Sequence, residues 1–291
     1  MDRAPSTTAA ADRAVAPRAI WRITFLRPRP MDSCSAFMLL PLAMASVSWD
    51  APKREYVITR VLPHDTAAYT QGLIYTNGIF YESTGEYGRS DLRRVDVATG
   101  QVEASVPLAP TRFGEGLTLL DGRLYQLTWQ SHVGYVYEAS TLARVDSFGY
   151  GGEGWGLATD GRALIMSDGT AILRFLDPHT FQVMRRVTVR DGQSPLSALN
   201  ELEYVHGSLF ANVYPSDWIV VVDPRDGQVR RWINMSELLP ASRRTPRTDV
   251  LNGIAYSDQA QRLFITGKRW PSVFEIRLTP AAGDSATAAG P

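Results

Sequence analysis

Apolar residues along this chain fall in short runs between turn-forming residues, and one arrangement recurs five times. Each copy opens on a polar or aromatic residue beside Gly or Leu. It continues as a short apolar stretch, turns, and resumes as a strand. The copies are Gln71-Gly72-Leu73 with Asn77-Gly78, Glu115-Gly116-Leu117 with Asp121-Gly122, and Gly154-Trp155-Gly156-Leu157 with Asp160-Gly161. Asn200-Glu201-Leu202-Glu203 with His206-Gly207 and Asn252-Gly253-Ile254 with Ser257-Asp258 complete the set. From Gln71 through Glu115, Trp155 and Asn200 to Asn252 the steps are 44, 40, 45 and 52 residues. A second half repeats as well: an apolar strand ending in Asp or an equivalent, a turn, and another strand. It is seen at Leu92–Asp96, Val133–Glu138, Ile172–Asp177 and Ile219–Asp223.

Asn-Gly and Asp-Gly between apolar runs signal tight hairpins, so each copy predicts four short antiparallel strands. Four-strand units at this period are the signature of a β-propeller, and five of them predict a five-bladed, all-β propeller. The fifth copy ends at Val273–Leu278 without a fourth strand, while the strand-like Glu55–Val61 precedes the first copy. Pairing the two closes the ring and leaves no open edge. Only Met235–Ser242 has the character of a short helix. No long helical period is present and G-x-S-x-G does not occur, which disfavours α/β-hydrolase and Rossmann folds.

The propeller domain is expected over 46–279. Ahead of it, Ala36–Ala45 is an apolar run of signal-peptide length, too short to span a bilayer, with Arg27 and Arg29 upstream and a small-x-small pattern at Ala43-Met44-Ala45. Residues 1–45 therefore read as an export signal, placing the mature protein in a periplasm or outside the cell with no stable membrane association. The tail, 280–291, is small and polar and reads as disordered. Length alone would allow two domains, but single all-β domains reach this size. Lys plus Arg and Asp plus Glu number 30 each, so no broad surface for nucleic acid is expected. The one cysteine, Cys34, lies in the leader, which excludes an internal disulfide, a thiol nucleophile and a cysteine-rich metal site. His64, His132, His179 and His206 fall in turns or loops without zinc-ligand spacing.

The first strand of a propeller blade lines the central channel, so the opening residues of the copies are site candidates: Gln71, Glu115, Trp155, Asn200 and Asn252. Strand ends add Trp129, Tyr214 and Lys268, each 14–16 positions after its copy's opening residue. Glu115 has Phe113, Trp129 and Trp155 as expected neighbours. A carboxylate in a partly dry aromatic pocket has a raised pKa, suited to proton transfer near neutral pH. Of the 30 basic residues only Lys53 and Lys268 are lysines, which singles out Lys268 in the folded region.

Eight motifs, in order and spread over every copy, resemble one family: Tyr69-Thr70-Gln71-Gly72-Leu73, Glu82-Ser83-Thr84-Gly85 with Tyr87-Gly88, Phe113-Gly114-Glu115-Gly116-Leu117-Thr118, Leu127-Thr128-Trp129, Glu153-Gly154-Trp155-Gly156-Leu157, Leu199-Asn200-Glu201-Leu202-Glu203, Leu251-Asn252-Gly253-Ile254 and Thr266-Gly267-Lys268-Arg269-Trp270-Pro271. The resemblance, over about residues 55–278, is to the glutaminyl-peptide cyclotransferases of plant and bacterial type. It implies a five-bladed propeller that closes an N-terminal Gln of a peptide or protein into pyroglutamate and releases ammonia. It also implies Glu115 as the acid/base, with Lys268 and Asn200 as further catalytic residues holding the amide and the oxyanion. Tyr69, Gln71, Phe113, Trp129, Trp155 and Tyr214 are implied as the substrate pocket. Tyr69 stands where the family usually has Phe, and Tyr214 where it usually has Trp. No metal and no cofactor is implied for catalysis, with room for a structural divalent cation in the channel, and a monomer is expected.

Two other functions compete. A metal-dependent propeller lactonase would use Glu115, Asn200 and Asn252 as ligands. A non-enzymatic binding module would use its top face and would not gather Glu, Lys and Trp at the channel.

Overall fold

The computed structural model describes residues 55–280. The leader read as an export signal (1–45) with Cys34, Lys53, and the tail beyond 280 lie outside the described residues. β1 (Tyr56–Pro63) comes first. Blade one is β2 (Thr70–Thr76), β3 (Ile79–Thr84), β4 (Asp91–Asp96) and β5 (Val102–Pro107). Blade two is β6 (Gly114–Leu120), β7 (Arg123–Thr128), β8 (Val133–Glu138) and β9 (Arg144–Gly149). Blade three is β10 (Leu157–Thr159), β11 (Leu164–Met166), β12 (Ile172–Leu176) and β13 (Val183–Thr188). A small hairpin, β14 (Arg190–Asp191) with β15 (Ser194–Pro195), leads into blade four: β16 (Leu199–Val205), β17 (Ser208–Val213), β18 (Trp218–Val222) and β19 (Val229–Asn234). Blade five is β20 (Leu251–Ser257), β21 (Arg262–Gly267) and β22 (Ser272–Leu278), with β1 as its outer strand.

The protein is thus an all-β, five-bladed propeller closed by its N-terminal strand, as the repeats predict. β1 runs antiparallel to β22, from Tyr56 opposite Leu278 to Pro63 opposite Ser272. The inner strands β2, β6, β10, β16 and β20 neighbour one another in cyclic order around the channel. Five buried apolar clusters fill the five interfaces between blades; one of them joins Leu62, Val273 and Phe264 of blade five to Leu73 and Phe80 of blade one. Apolar faces too small to fold alone are buried only because the ring closes.

The turn chemistry follows the residues. Asn77-Gly78, Asp121-Gly122 and His206-Gly207 all have positive φ at both positions, the conformation of the tightest hairpin turns. The Asp that ends a third strand caps its own turn: Asp96 Oδ1 accepts from Thr99 N at 2.8 Å, and Asp177 Oδ1 from Thr180 N at 2.7 Å.

One local expectation fails. The helix expected over Met235–Ser242 is absent. Pro240 has no N–H for an intrahelical bond, and the stretch is a turn followed by a 3-10 helix, Ala241–Arg243. His64 lies in the loop after β1, as expected, but its side chain is buried between the closing blades. Its Nε2 meets Glu82 Oε1 at 2.9 Å and its Nδ1 meets the Trp270 carbonyl at 2.8 Å. Burial pushes the Glu82 carboxyl up, but Arg93 and His64 outweigh it and hold the pKa at about 2.

Candidate active site

The site is built where inner strands are irregular. Register shifts interrupt the β2/β3, β6/β7, β16/β17 and β20/β21 ladders at Gln71, Glu115-Gly116, Asn200-Glu201 and Asn252-Gly253. A bulge turns a side chain out of its regular alternation, so residues from separate blades can be aimed at one end of the channel. Close approach of the inner strands is the second requirement. A Cβ on Gly116 would lie 2.5 Å from Leu157 N, and one on Gly156 would lie 2.0 Å from Asn200 O. Only glycine fits there.

Tyr69, Gln71, Phe113, Glu115, Trp129, Trp155, Asn200, Tyr214 and Lys268 line one cavity of about 250 Å³. These nine are the residues that the resemblance implies for the site, and all five blades contribute. Asn252 is not in the lining. It is buried behind Gln71, where its Nδ2 donates to Thr70 O at 3.0 Å and to Gln71 Oε1 at 3.2 Å. Of a lactonase-like set, Glu115 and Asn200 line the cavity and Asn252 does not. Among the described residues no group of three His, Cys, Asp or Glu side chains is disposed to hold a metal ion.

Gln71, so fixed, donates from Nε2 to Glu115 Oε1 at 2.9 Å. Among the described residues it is the one hydrogen-bond donor to that carboxylate. Burial pushes the Glu115 pKa well above the ordinary carboxylate range; Lys268 pulls it back and Glu153 adds to the rise. The same burial lowers the Lys268 pKa, against Glu115 and Asp249, which raise it. The Lys268 ammonium lies 4.8 Å from the Tyr69 ring centre and 5.3 Å from that of Tyr214, so two aromatic faces carry it into the cavity. The Tyr69 hydroxyl is raised above the usual phenol value, by burial first and then by Asp249. Asn200 is buried and, among the described residues, its Oδ1 has no hydrogen-bond partner.

The walls are aromatic. Phe113 packs edge-on against Trp129 at 5.7 Å between ring centres and against Tyr69 at 6.1 Å. Trp155 stands edge-on to Tyr214 at 5.8 Å. The exposed Tyr87 closes against Phe113 at the rim, at 5.4 Å. The arrangement offers one buried acid with a neighbouring cation, one unspent amide acceptor and apolar walls that exclude water. It suits proton transfer on a small, neutral, amide-bearing group.

Two neighbours escaped the sequence reading. Asp249 lies beside Tyr69 and Lys268, and nothing in its local pattern marks it. Glu153 binds both indoles of the wall. It stands two residues before Trp155 in a stretch quoted above, a spacing that places its carboxylate near the indole.

The chain is similar to known proteins in sequence and fold. The family model described as glutamine cyclotransferase matches residues 33–278. A glutaminyl-peptide cyclotransferase of Arabidopsis thaliana is 44% identical over 235 residues, covering 79% of this chain and 73% of its own. The crystal structure of Myxococcus xanthus glutaminyl cyclase superposes with a TM-score of 0.71 at 36% identity, over 77% of this chain and 96% of that one.

Proposed function

We propose, from the premise that this chain belongs to the glutamine cyclotransferase family, that it is a glutaminyl-peptide cyclotransferase using Glu115 as acid and base. The N-terminal Gln of a peptide folds into the cavity with its α-amine against its own side-chain amide. The amine nitrogen attacks the amide carbon, the new C–N bond closes a five-membered ring, and the carbonyl oxygen becomes an oxyanion. Glu115, as the carboxylate, takes a proton from the attacking nitrogen. It returns that proton to the amide nitrogen, the old C–N bond breaks, and ammonia leaves with pyroglutamate formed. Lys268 faces the oxyanion, and Asn200 Oδ1 accepts from the substrate's amide. Gln71 holds Glu115, while Tyr69, Phe113, Trp129, Trp155 and Tyr214 wall the folded side chain.

The reaction is intramolecular, so confinement of a compact conformer supplies much of the rate. Glu115 carries the reading: it is buried, has a single donor among the described residues, interacts with Lys268, and has a pKa raised by burial, which makes it a stronger base than an ordinary carboxylate. No cofactor enters these steps.

Incubation with a Gln-initiated dipeptide amide should release ammonia, undiminished in EDTA. No release, or release abolished by the chelator, overturns the reading. On the same footing we read the enzyme as a monomer exported by residues 1–45, to be tested by sedimentation and by cell fractionation.

A further inference from the structure

Glu153 lies just ahead of β10, on the loop that leads out of blade two. Its Oε2 accepts from Trp129 Nε1 at 2.7 Å and from Trp155 Nε1 at 2.8 Å, and its Oε1 accepts from Gln130 Nε2 at 2.9 Å. Trp129 belongs to blade two and Trp155 opens blade three, so one carboxylate oxygen joins the cavity walls of two blades. The loop that carries it is itself fixed. Gly154 N donates to Trp129 O at 2.9 Å, and a Cβ on Gly154 would lie 2.6 Å from the Tyr150 hydroxyl and 2.8 Å from Thr128 O. Arg174, paired with Asp168 at 3.1 Å, donates to the carbonyls of Glu153 and Gly151, and His132 Nδ1 meets the Gly152 carbonyl at 2.7 Å. On its other side the Trp155 ring rests on Gly169, where a Cβ would come within 2.8 Å of it.

We infer that Glu153 is a positioning residue of the substrate pocket, clamping the Trp129 and Trp155 indoles in the orientation that receives the folded Gln side chain. An indole N–H offers one donor, and a bond to a charged acceptor fixes the ring plane as well as its place. Although partial burial pushes the Glu153 pKa up, the bonds from Gln130, Trp155 and Trp129 hold it below the ordinary value, so the acceptor stays charged while the enzyme works. Glu153 touches no reacting atom: it acts through the two walls. The inference rests on the cyclisation reading of the same cavity.

The test compares wild type, Glu153→Ala, Trp155→Phe and the double variant for steady-state ammonia release. Glu153→Ala should raise KM about tenfold, with kcat changed less than about threefold, because Glu115, Gln71 and Lys268 remain. The double variant should fall short of the product of the single effects by at least about threefold, since both changes break one bond. A wild-type KM in Glu153→Ala, multiplicative effects, or a loss seen only in thermal stability overturns the proposal. Glu153→Gln keeps the length and one acceptor oxygen and should raise KM about threefold. Failure of this conservative variant to fold would make Glu153 a folding residue and also overturn it. Acrylamide quenching of tryptophan emission needs no turnover and should rise in Glu153→Ala. An inactive wild type with increased quenching in the variant therefore removes the cyclisation reading and keeps the clamp. Unchanged quenching removes the clamp.

Discussion

Two buried glutamates stand in equivalent regions of two blades and have opposite fates. Glu115 opens the second copy, and Glu201 is the second residue of the fourth copy, where the other copies have Gly72, Gly116, Gly156 and Gly253. Both lie at inner-strand bulges, at 5% and 1% exposure, and burial raises both pKa values well above the ordinary carboxylate range. Glu201 reaches across the channel. Its Oε1 accepts from Leu73 N of blade one at 3.3 Å and its Oε2 from Ile254 N of blade five at 2.8 Å. Each of its oxygens serves a backbone donor that would otherwise be buried unpaired. Glu115 has one side-chain donor, a cation across the cavity, and room for a substrate. A raised pKa therefore does not by itself mark an acid/base residue. Access and unspent hydrogen-bonding capacity separate the catalytic candidate from the structural tie.

The contrast breaks most sharply at Glu115. Glu115→Gln retains size and the bond to Gln71 but transfers no proton, so kcat should fall roughly 10²–10⁴-fold, about 3–5 kcal/mol of barrier, with KM and melting temperature near wild type. Near wild-type turnover on Gln-initiated peptides would merge the two glutamates into one structural class. The converse is Glu201→Ala, which strands two buried N–H groups. It should lose roughly 2–5 kcal/mol of stability, on the order of 5–15 °C in melting temperature, while kcat of the folded fraction stays within about twofold. A catalytic collapse without a thermal one would reverse the assignment.

Lys268→Met sharpens the difference. The ammonium favours the Glu115 carboxylate, so its removal should raise that pKa further and move the acid limb of the kcat/KM profile to higher pH, with kcat reduced about tenfold. A limb that stays or moves down would mean that the pair does not interact during turnover. The smallest effect is on stability against pH. In a glutamate with a raised folded pKa, the native state binds the extra proton. The stability so gained is complete below the unfolded value of ~4.3 and erodes as pH rises through the folded value. Melting temperature should therefore decline as pH rises above the unfolded value, and less steeply in Glu201→Gln than in wild type. Equal slopes would mean that Glu201 is ionised in the native state.

The strands and tight turns were legible because their causes are local. Asn77-Gly78 and Asp121-Gly122 dictate positive-φ turns, and the polar residues Gln71, Glu115 and Asn200 interrupt apolar runs where the ladders shift register. The partner of the lone strand before the first copy was legible too, because the fifth copy is one strand short. The grouping of Glu115, Trp129 and Lys268 followed from repeat position, since equivalent positions in a ring of blades share one end of the channel. Less was legible where a side chain answers a distant blade. Asn252 has the same repeat position as Glu115, yet its amide turns to Thr70 and Gln71 of the neighbouring blade. His64 reads as a turn or loop residue and lies in a loop, yet its side chain is buried against Glu82. Met235–Ser242 carries apolar residues at helical spacing, but Pro240 breaks the run and Met235 and Leu238 are drawn into the blade four–five core.

The chain's own order of residues determined the four-strand unit, its fivefold recurrence, the closing strand and the positions that open toward the channel. Each depends on backbone preferences and on apolar periodicity within a few residues. Tertiary structure alone decided which opening residues meet the cavity, which buried carboxylate lines it and which ties backbone N–H groups, and that Glu153 binds two indoles at once. Those outcomes depend on close approach of separate blades, where a single Cβ or one backbone N–H determines the side-chain direction, and no local pattern encodes that distance.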